Sequence, residues 1–184
     1  MKHTPQAIIL LADGFEEIEA VTVVDVLRRA DIVVDIIGVG ERDVFGSHAI
    51  RLTTDYTLDE LEHDVDMVIL PGGIPGTLNL AKSDAVQQLV RRQAEAGRYL
   101  AAICAAPALV FGAFGFLAGK RWTGYPGLED KVLGAEYCTD EVVVDGKIIT
   151  SRGPGTAAAF AFELVRVLQG DATAGNVKTS MLFA

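Results

Sequence analysis

The stretch LAAICAAPALVFGAFGFL, residues 100–117, decides the fold. Its first half is a short apolar run that reads as a buried strand, and from about Ala105 the apolar spacing becomes helical. Cys104 stands at the junction, with Ala102, Ala105, Ala106 and Pro107 around it. Small neighbours permit a sharp turn, and a sharp strand-to-helix turn lifts one side chain to the top of a sheet, the geometry of a nucleophile elbow.

The same strand-then-helix sequence recurs on either side. AIILLADG (7–14) reads as a buried strand closed by a turn. EEIEAVTVVDVLRRA (16–30) has helical spacing, acids in its first turn and arginines in its last, as the helix dipole favours. DIVVDIIGVG (31–40) and DMVILPGG (66–73) are further apolar strands, the latter ending in Pro71, Gly72 and Gly73. SDAVQQLVRRQAEAG (83–97) is a helix with Ser83 as N-cap and Gly97 at its end. SHAIRLTTDYTL (47–58) alternates and reads as a more exposed strand. EVVVDGKIITS (141–151) reads as two strands around Asp145-Gly146, followed by a helix to about Gly170 and a short one after Asp171.

Buried strands alternating with helices specify an α/β fold, a doubly wound, mostly parallel sheet with helices on both faces. There is no internal repeat, linker or low-complexity tract, so one domain over residues 1–184 is expected. In such sheets ligands bind beyond the carboxyl ends of the strands. DGFEEIE, PGGIPG and CAAP all fall there.

Half the residues are hydrophobic and the formal net charge is −9, which disfavours nucleic acid and anionic membranes as partners. No apolar run reaches the ~18 residues of a membrane span. The beginning of the chain has too short an apolar stretch for a signal peptide. Two cysteines without metal-ligand spacing fit a reducing cytoplasm.

Each candidate site residue has two readings. At a helix start Cys104 would have its pKa lowered, to about 3.5–7.5 in known cases; otherwise it is a small buried hydrophobe. PGGIPG lacks the Gly-Lys-Ser/Thr ending of a phosphate loop. Its amides at Gly72 and Gly73 either join that of Ala105 in an oxyanion hole or merely close a turn. Glu16 and Glu19 lie on one helical face, as a general acid/base or as dipole compensation. His3 and His63 read as solvated, His48 as open, and Cys138 as structural.

The segments GFEEIEAVTVVDVLRRA, VILPGGIPG, AAICAAPA, TGYPGLEDK and TSRGPGTA, taken together and in this order, resemble the ThiJ/PfpI family over nearly the whole chain. The resemblance implies a flavodoxin-like sandwich, usually a homodimer, with no metal or organic cofactor. It implies that Cys104 is a readily oxidised reactive cysteine, that Glu19 is its protonated partner, that Gly73 and Ala105 are backbone donors, and that Glu16 is a pocket carboxylate. Activities implied are conversion of methylglyoxal to lactate, repair of early glycation adducts, chaperoning and oxidative-stress sensing, with small reactive aldehydes or glycated groups as substrates. Three positions depart from relatives. Ala105 stands where a protease-like branch has histidine, which argues against peptidase activity. Tyr125 replaces a histidine of another branch. His48 replaces a common arginine that reaches the partner subunit's pocket, and would make an anion contact pH-dependent.

Overall fold

The computed structural model describes residues 4–183; His3 lies outside them. The elements run β1 (Gln6–Leu11), α1 (Glu17–Arg29), β2 (Val33–Gly38), β3 (Asp43–Phe45), β4 (Arg51–Thr53), β5 (Tyr56–Thr57), β6 (Met67–Leu70), α2 (Gly76–Lys82), α3 (Asp84–Glu95) and β7 (Tyr99–Ile103). After one wide, π-type helical stretch at Pro107–Gly112 come β8 (Arg121–Trp122), β9 (Glu136–Tyr137), β10 (Val142–Asp145), β11 (Ile148–Ser151), α4 (Ala157–Gln169) and α5 (Asp171–Ser180).

Seven strands form one sheet in the order β10-β11-β7-β6-β1-β2-β5. Every pairing is parallel except the β10–β11 hairpin at one edge. This is the doubly wound flavodoxin-like arrangement. The continuous apolar runs are explained by burial on both faces. Ile9, Leu11, Met67, Ile69, Ala101 and Ile103 join the core that packs against α1 and α4. Their alternates Ile8, Leu10, Val68, Leu70, Leu100 and Ala102 join the core under α3 and the 107–112 helix. Ser83 caps α3 by accepting the Val86 N–H at 3.3 Å.

Three local expectations are corrected. Residues 47–58 are not one exposed strand: β4 pairs with β3 as a small antiparallel hairpin, and β5 adds in parallel to the sheet edge beside β2. His48 sits in the hairpin turn, not on a strand. The helix after Cys104 is short, because turns take over from Ala113 to Gly119. The segment 76–82, unassigned by periodicity, is helix α2.

Candidate active site

Cys104 follows the last residue of β7 and has φ +66, a left-handed conformation that a β-carbon makes unfavourable. Its backbone is held on both sides. The Cys104 N–H donates to the Ser151 carbonyl at 3.0 Å, and its own carbonyl accepts the Tyr125 N–H at 2.7 Å. The expected elbow is therefore present, but it does not expose the thiol: Cys104 is only 9% accessible.

Two glycines let the other loops close on it. A β-carbon at Gly72 would lie 2.5 Å from Cys104 Cβ and 2.8 Å from Glu19 Oε2. Gly73, at φ +91, lies against the backbone of residues 14–16. The Glu16 N–H donates to the Gly72 carbonyl at 2.9 Å and the Gly76 N–H to the Gly14 carbonyl at 3.1 Å, which ties the ends of β1 and β6 together.

Glu19 points from α1 into this junction and is fully buried. Its Oε2 accepts the Gly72 N–H at 2.6 Å. Its Oε1 has no well-formed hydrogen bond among the described residues, though the carboxyl lies close enough to the Cys104 thiol for each to shift the other's titration. Burial raises Glu19 to about 7, against hydrogen bonding from Gly72 and the thiol and with help from the charge of Glu16. Burial, and then the charge of Glu19, push Cys104 up to about 12, while the N–H groups of Gly73 and Ala105, directed at the sulfur, act the other way. The expectation of a lowered thiol pKa is thus reversed: the elbow desolvates the sulfur more than its donors stabilise a thiolate. The pair retains a shared proton through neutral pH, and removing charge from Glu19 removes its coulombic hold on the thiol proton.

Above the thiol opens a cleft of about 710 Å³. Glu16, His48, Gly73, Cys104, Ala105 and Tyr125 line it, while Glu19 and Gly72 lie behind the sulfur. All eight residues singled out in the sequence therefore meet at one place. Leu109, Pro126, Leu128, Ile18, Ile74 and Pro154 supply apolar walls. A second hollow of about 450 Å³, between α4 and α5, is lined by no cysteine, serine or histidine.

Glu17 was not singled out, because beside two other glutamates it looks like dipole compensation. It is buried, and its Oε1 accepts the N–H groups of His48 at 2.8 Å and Ile50 at 3.3 Å. Its Oε2 lies 3.0 Å from His48 Nδ1. Burial alone would raise Glu17, but these hydrogen bonds bring it to about 2. The same bond, followed by the charges of Glu16 and Glu17, raises the pKa of the exposed His48. The Ser47 hydroxyl donates towards Glu16 Oε2 at 3.2 Å, completing a braced turn at the cleft mouth. His63 instead faces Asp35 at 4.0 Å. Cys138 is a buried free thiol whose sulfur lies 3.7 Å from the Glu136 carbonyl.

A flavodoxin-like sheet with a cysteine elbow, a buried carboxyl partner and converging backbone N–H groups defines a class of cysteine-centred α/β proteins. The chain belongs to the DJ-1/PfpI family, whose model matches residues 5–167. It is 41% identical over 169 residues to Protein DJ-1 homolog B of Arabidopsis thaliana, an alignment covering 91% of this chain but 39% of that protein. The chain thus spans well under half the length of that relative. It is 35% identical to Glutathione-independent glyoxalase DJR-1.2 of Caenorhabditis elegans, with 92% of each chain covered. The crystal structure of Drosophila melanogaster DJ-1beta superposes with a TM-score of 0.94 at 37% identity, covering 99% of this chain and all of that one.

Proposed function

We propose that the protein is a cofactor-independent cysteine enzyme that converts 2-oxoaldehydes to 2-hydroxy acids. Methylglyoxal to lactate is the simplest case, and early glycation adducts are open to the same chemistry, in a stress-response role. The observation that carries this is the meeting of the Cys104 thiol, the Glu19 carboxyl and two backbone N–H groups at the floor of an open cleft. The glyoxalase named among its relatives supports it.

Cys104 Sγ adds to the aldehyde carbon while Glu19 takes the thiol proton. The carbonyl oxygen, stabilised by the Gly73 and Ala105 N–H groups, takes that proton back to give a hemithioacetal. Glu19 then removes the hydrogen on this carbon as a proton and returns it to the neighbouring ketone carbon. The hydroxyl proton of the hemithioacetal passes at the same time to the ketone oxygen, so the first carbon becomes the carbonyl of a thioester, oxidised, and the second a carbinol, reduced. Water cleaves the thioester, its oxygen stays in the acid, and the thiol regains its proton. A carboxyl near pH 7 suits both giving and taking a proton.

Lactate formation from methylglyoxal, without glutathione or metal, tests this. Many turnovers per site in the wild type and none in Cys104→Ser are expected. Consumption of at most one equivalent per thiol overturns the reading.

A second reading uses the same donors. The N–H groups of Gly73 and Ala105, with a protonated Glu19, suit the oxygens of a sulfinate on Cys104, which makes an oxidative-stress sensor. Its mark is oxidation of Cys104 to the sulfinate by two equivalents of peroxide, with Cys138 spared and negligible turnover of aldehyde. Chaperoning would survive Cys104→Ser. A peptidase is the least supported reading, since Ala105 leaves no basic partner beside the cysteine in sequence.

We place the protein in a reducing cytoplasm as a homodimer of one ThiJ/PfpI-type domain. Its two cysteines are free. Exposed Val21 on α1, with Phe45 and Ile50 on the adjoining hairpin, supplies apolar surface for a second copy. No helix among the described residues is long and apolar enough to cross a membrane. Sedimentation showing only monomer would refute the dimer.

A further inference from the structure

Resting on that glyoxalase reading, we infer that the cleft selects uncharged 2-oxoaldehydes whose substituent is apolar and larger than methyl, arylglyoxals being the simplest. Such compounds are preferred over methylglyoxal and over anionic aldehydes.

Size is the first ground. The reacting dicarbonyl needs only the floor formed by Cys104, Gly73 and Ala105, yet the cleft has about 710 Å³. Volumes of about 300–1,000 Å³ accommodate drug-sized ligands. Methylglyoxal has two carbonyl carbons and one methyl, and would leave most of the walls untouched.

The chemistry of those walls is the second ground. Tyr125, Leu128, Leu109 and Ile74 all line the cleft. Ile74 and Tyr125 are 54% and 51% exposed, large apolar faces held in water beside a buried nucleophile. The Tyr125 backbone N–H donates to the Cys104 carbonyl at 2.7 Å, which anchors this residue's main chain beside the thiol loop. A flat apolar substituent on the ketone carbon would cover these faces while the aldehyde rests at the sulfur.

Charge is the third ground. Among the described residues no lysine or arginine lines the cleft. Its mouth carries Glu16 and His48, with Glu17 against the imidazole. Two carboxylates and one histidine leave this corner net negative even with the imidazole protonated. Like charge disfavours glyoxylate, phosphorylated aldehydes and the anionic hemithioacetal of glutathione.

The test compares kcat/KM of the wild type for phenylglyoxal, methylglyoxal and glyoxylate. Burying a ring of phenylalanine size is worth roughly tenfold to a hundredfold, so that advantage is expected for phenylglyoxal over methylglyoxal, with glyoxylate the poorest. In Tyr125→Ala and Ile74→Ala, both trimmed at exposed side chains, the phenylglyoxal-to-methylglyoxal ratio should fall by about threefold to tenfold. A parallel measurement needs no turnover: protection of Cys104 from iodoacetamide by 2-hydroxyacetophenone, hydroxyacetone and glycolate, which lack the reactive aldehyde. Protection in that order, the first at the lowest concentration, supports the inference even in an enzyme that turns over no aldehyde, a result that would sink the glyoxalase reading alone. Equal protection by the two ketones, or stronger protection by glycolate, overturns the inference whatever the turnover. So does a wild type that prefers methylglyoxal, or a ratio unmoved by both variants.

Discussion

Glu17 and Glu19 stand two residues apart on the first turn of α1, and both are buried. One faces the hairpin turn at residues 46–50, the other the thiol loop. Their carboxyls titrate in opposite directions, Glu17 near 2 and Glu19 near 7. Burial raises both, so burial does not separate them. Donors do. Glu17 accepts two backbone N–H groups and faces an imidazole and a hydroxyl. Glu19 accepts a single backbone N–H, from Gly72, and faces a thiol. A carboxylate rich in donors stays charged and braces structure, whereas one starved of donors keeps a proton available for chemistry.

Substituting the two glutamates sharpens this contrast most. Glu19→Gln should reduce turnover by about 10²–10⁴-fold, the usual range for loss of a positioned acid/base. It should also make Cys104 easier to ionise, because the charge that helps hold the thiol near 12 is gone. The pH midpoint of iodoacetamide alkylation therefore falls even as catalysis collapses. Glu17→Gln should reproduce neither effect, and a comparable loss of turnover with it would erase the distinction.

Stability against pH is the next lever. Glu19 keeps its proton in the folded protein up to about pH 7 but releases it near 4.5 when unfolded. Between those values the folded state binds more protons, so this contribution is full below 4.5 and lost as pH rises through 7, on the order of 3 kcal/mol. Glu17 acts in the opposite sense: its contribution is full above 4.5 and lost as pH falls towards about 2. Urea unfolding from pH 2 to 8 should show both limbs. Glu19→Gln should flatten the upper one and Glu17→Gln the lower.

At fixed neutral pH, Glu17→Gln should cost roughly 1–3 kcal/mol, as hydrogen bonds to a buried charge are replaced by weaker ones to an amide. Urea midpoints measure this. His48→Ala should have the smallest effect, because its imidazole is exposed and Glu17 keeps its two backbone donors. The expected signature is a barely shifted midpoint and a higher Glu17 pKa, visible by carboxyl-detected NMR.

The parallel sheet was legible because β1, β6 and β7 are apolar on both faces, which leaves alternate residues such as Ile8 and Ile9 equally buried. Ser83 announced α3 through its capping hydroxyl. The meeting of the DGFEEIE, PGGIPG and CAAP segments was legible from their places at strand ends, whereas Glu19 as the partner of Cys104 was implied by the family resemblance. What was not legible is set by distant partners. Helix α2 has only seven residues, too few to show a period. The 43–53 hairpin depends on Glu17, which satisfies its turn from 31 residues away in sequence. The direction of the Cys104 shift depends on desolvation by loops that no local pattern describes.

The left-handed backbone at Cys104 has a consequence for how such a sequence drifts. A fold that needed only to be stable would place glycine there, where φ +66 carries no steric penalty. On the proposed reaction, cysteine stands at this position at a cost in backbone strain that glycine would not carry. A descendant that lost the reaction but kept the sheet would be expected to show the loss first at residue 104, as a change to glycine that leaves the protein firmer and silent.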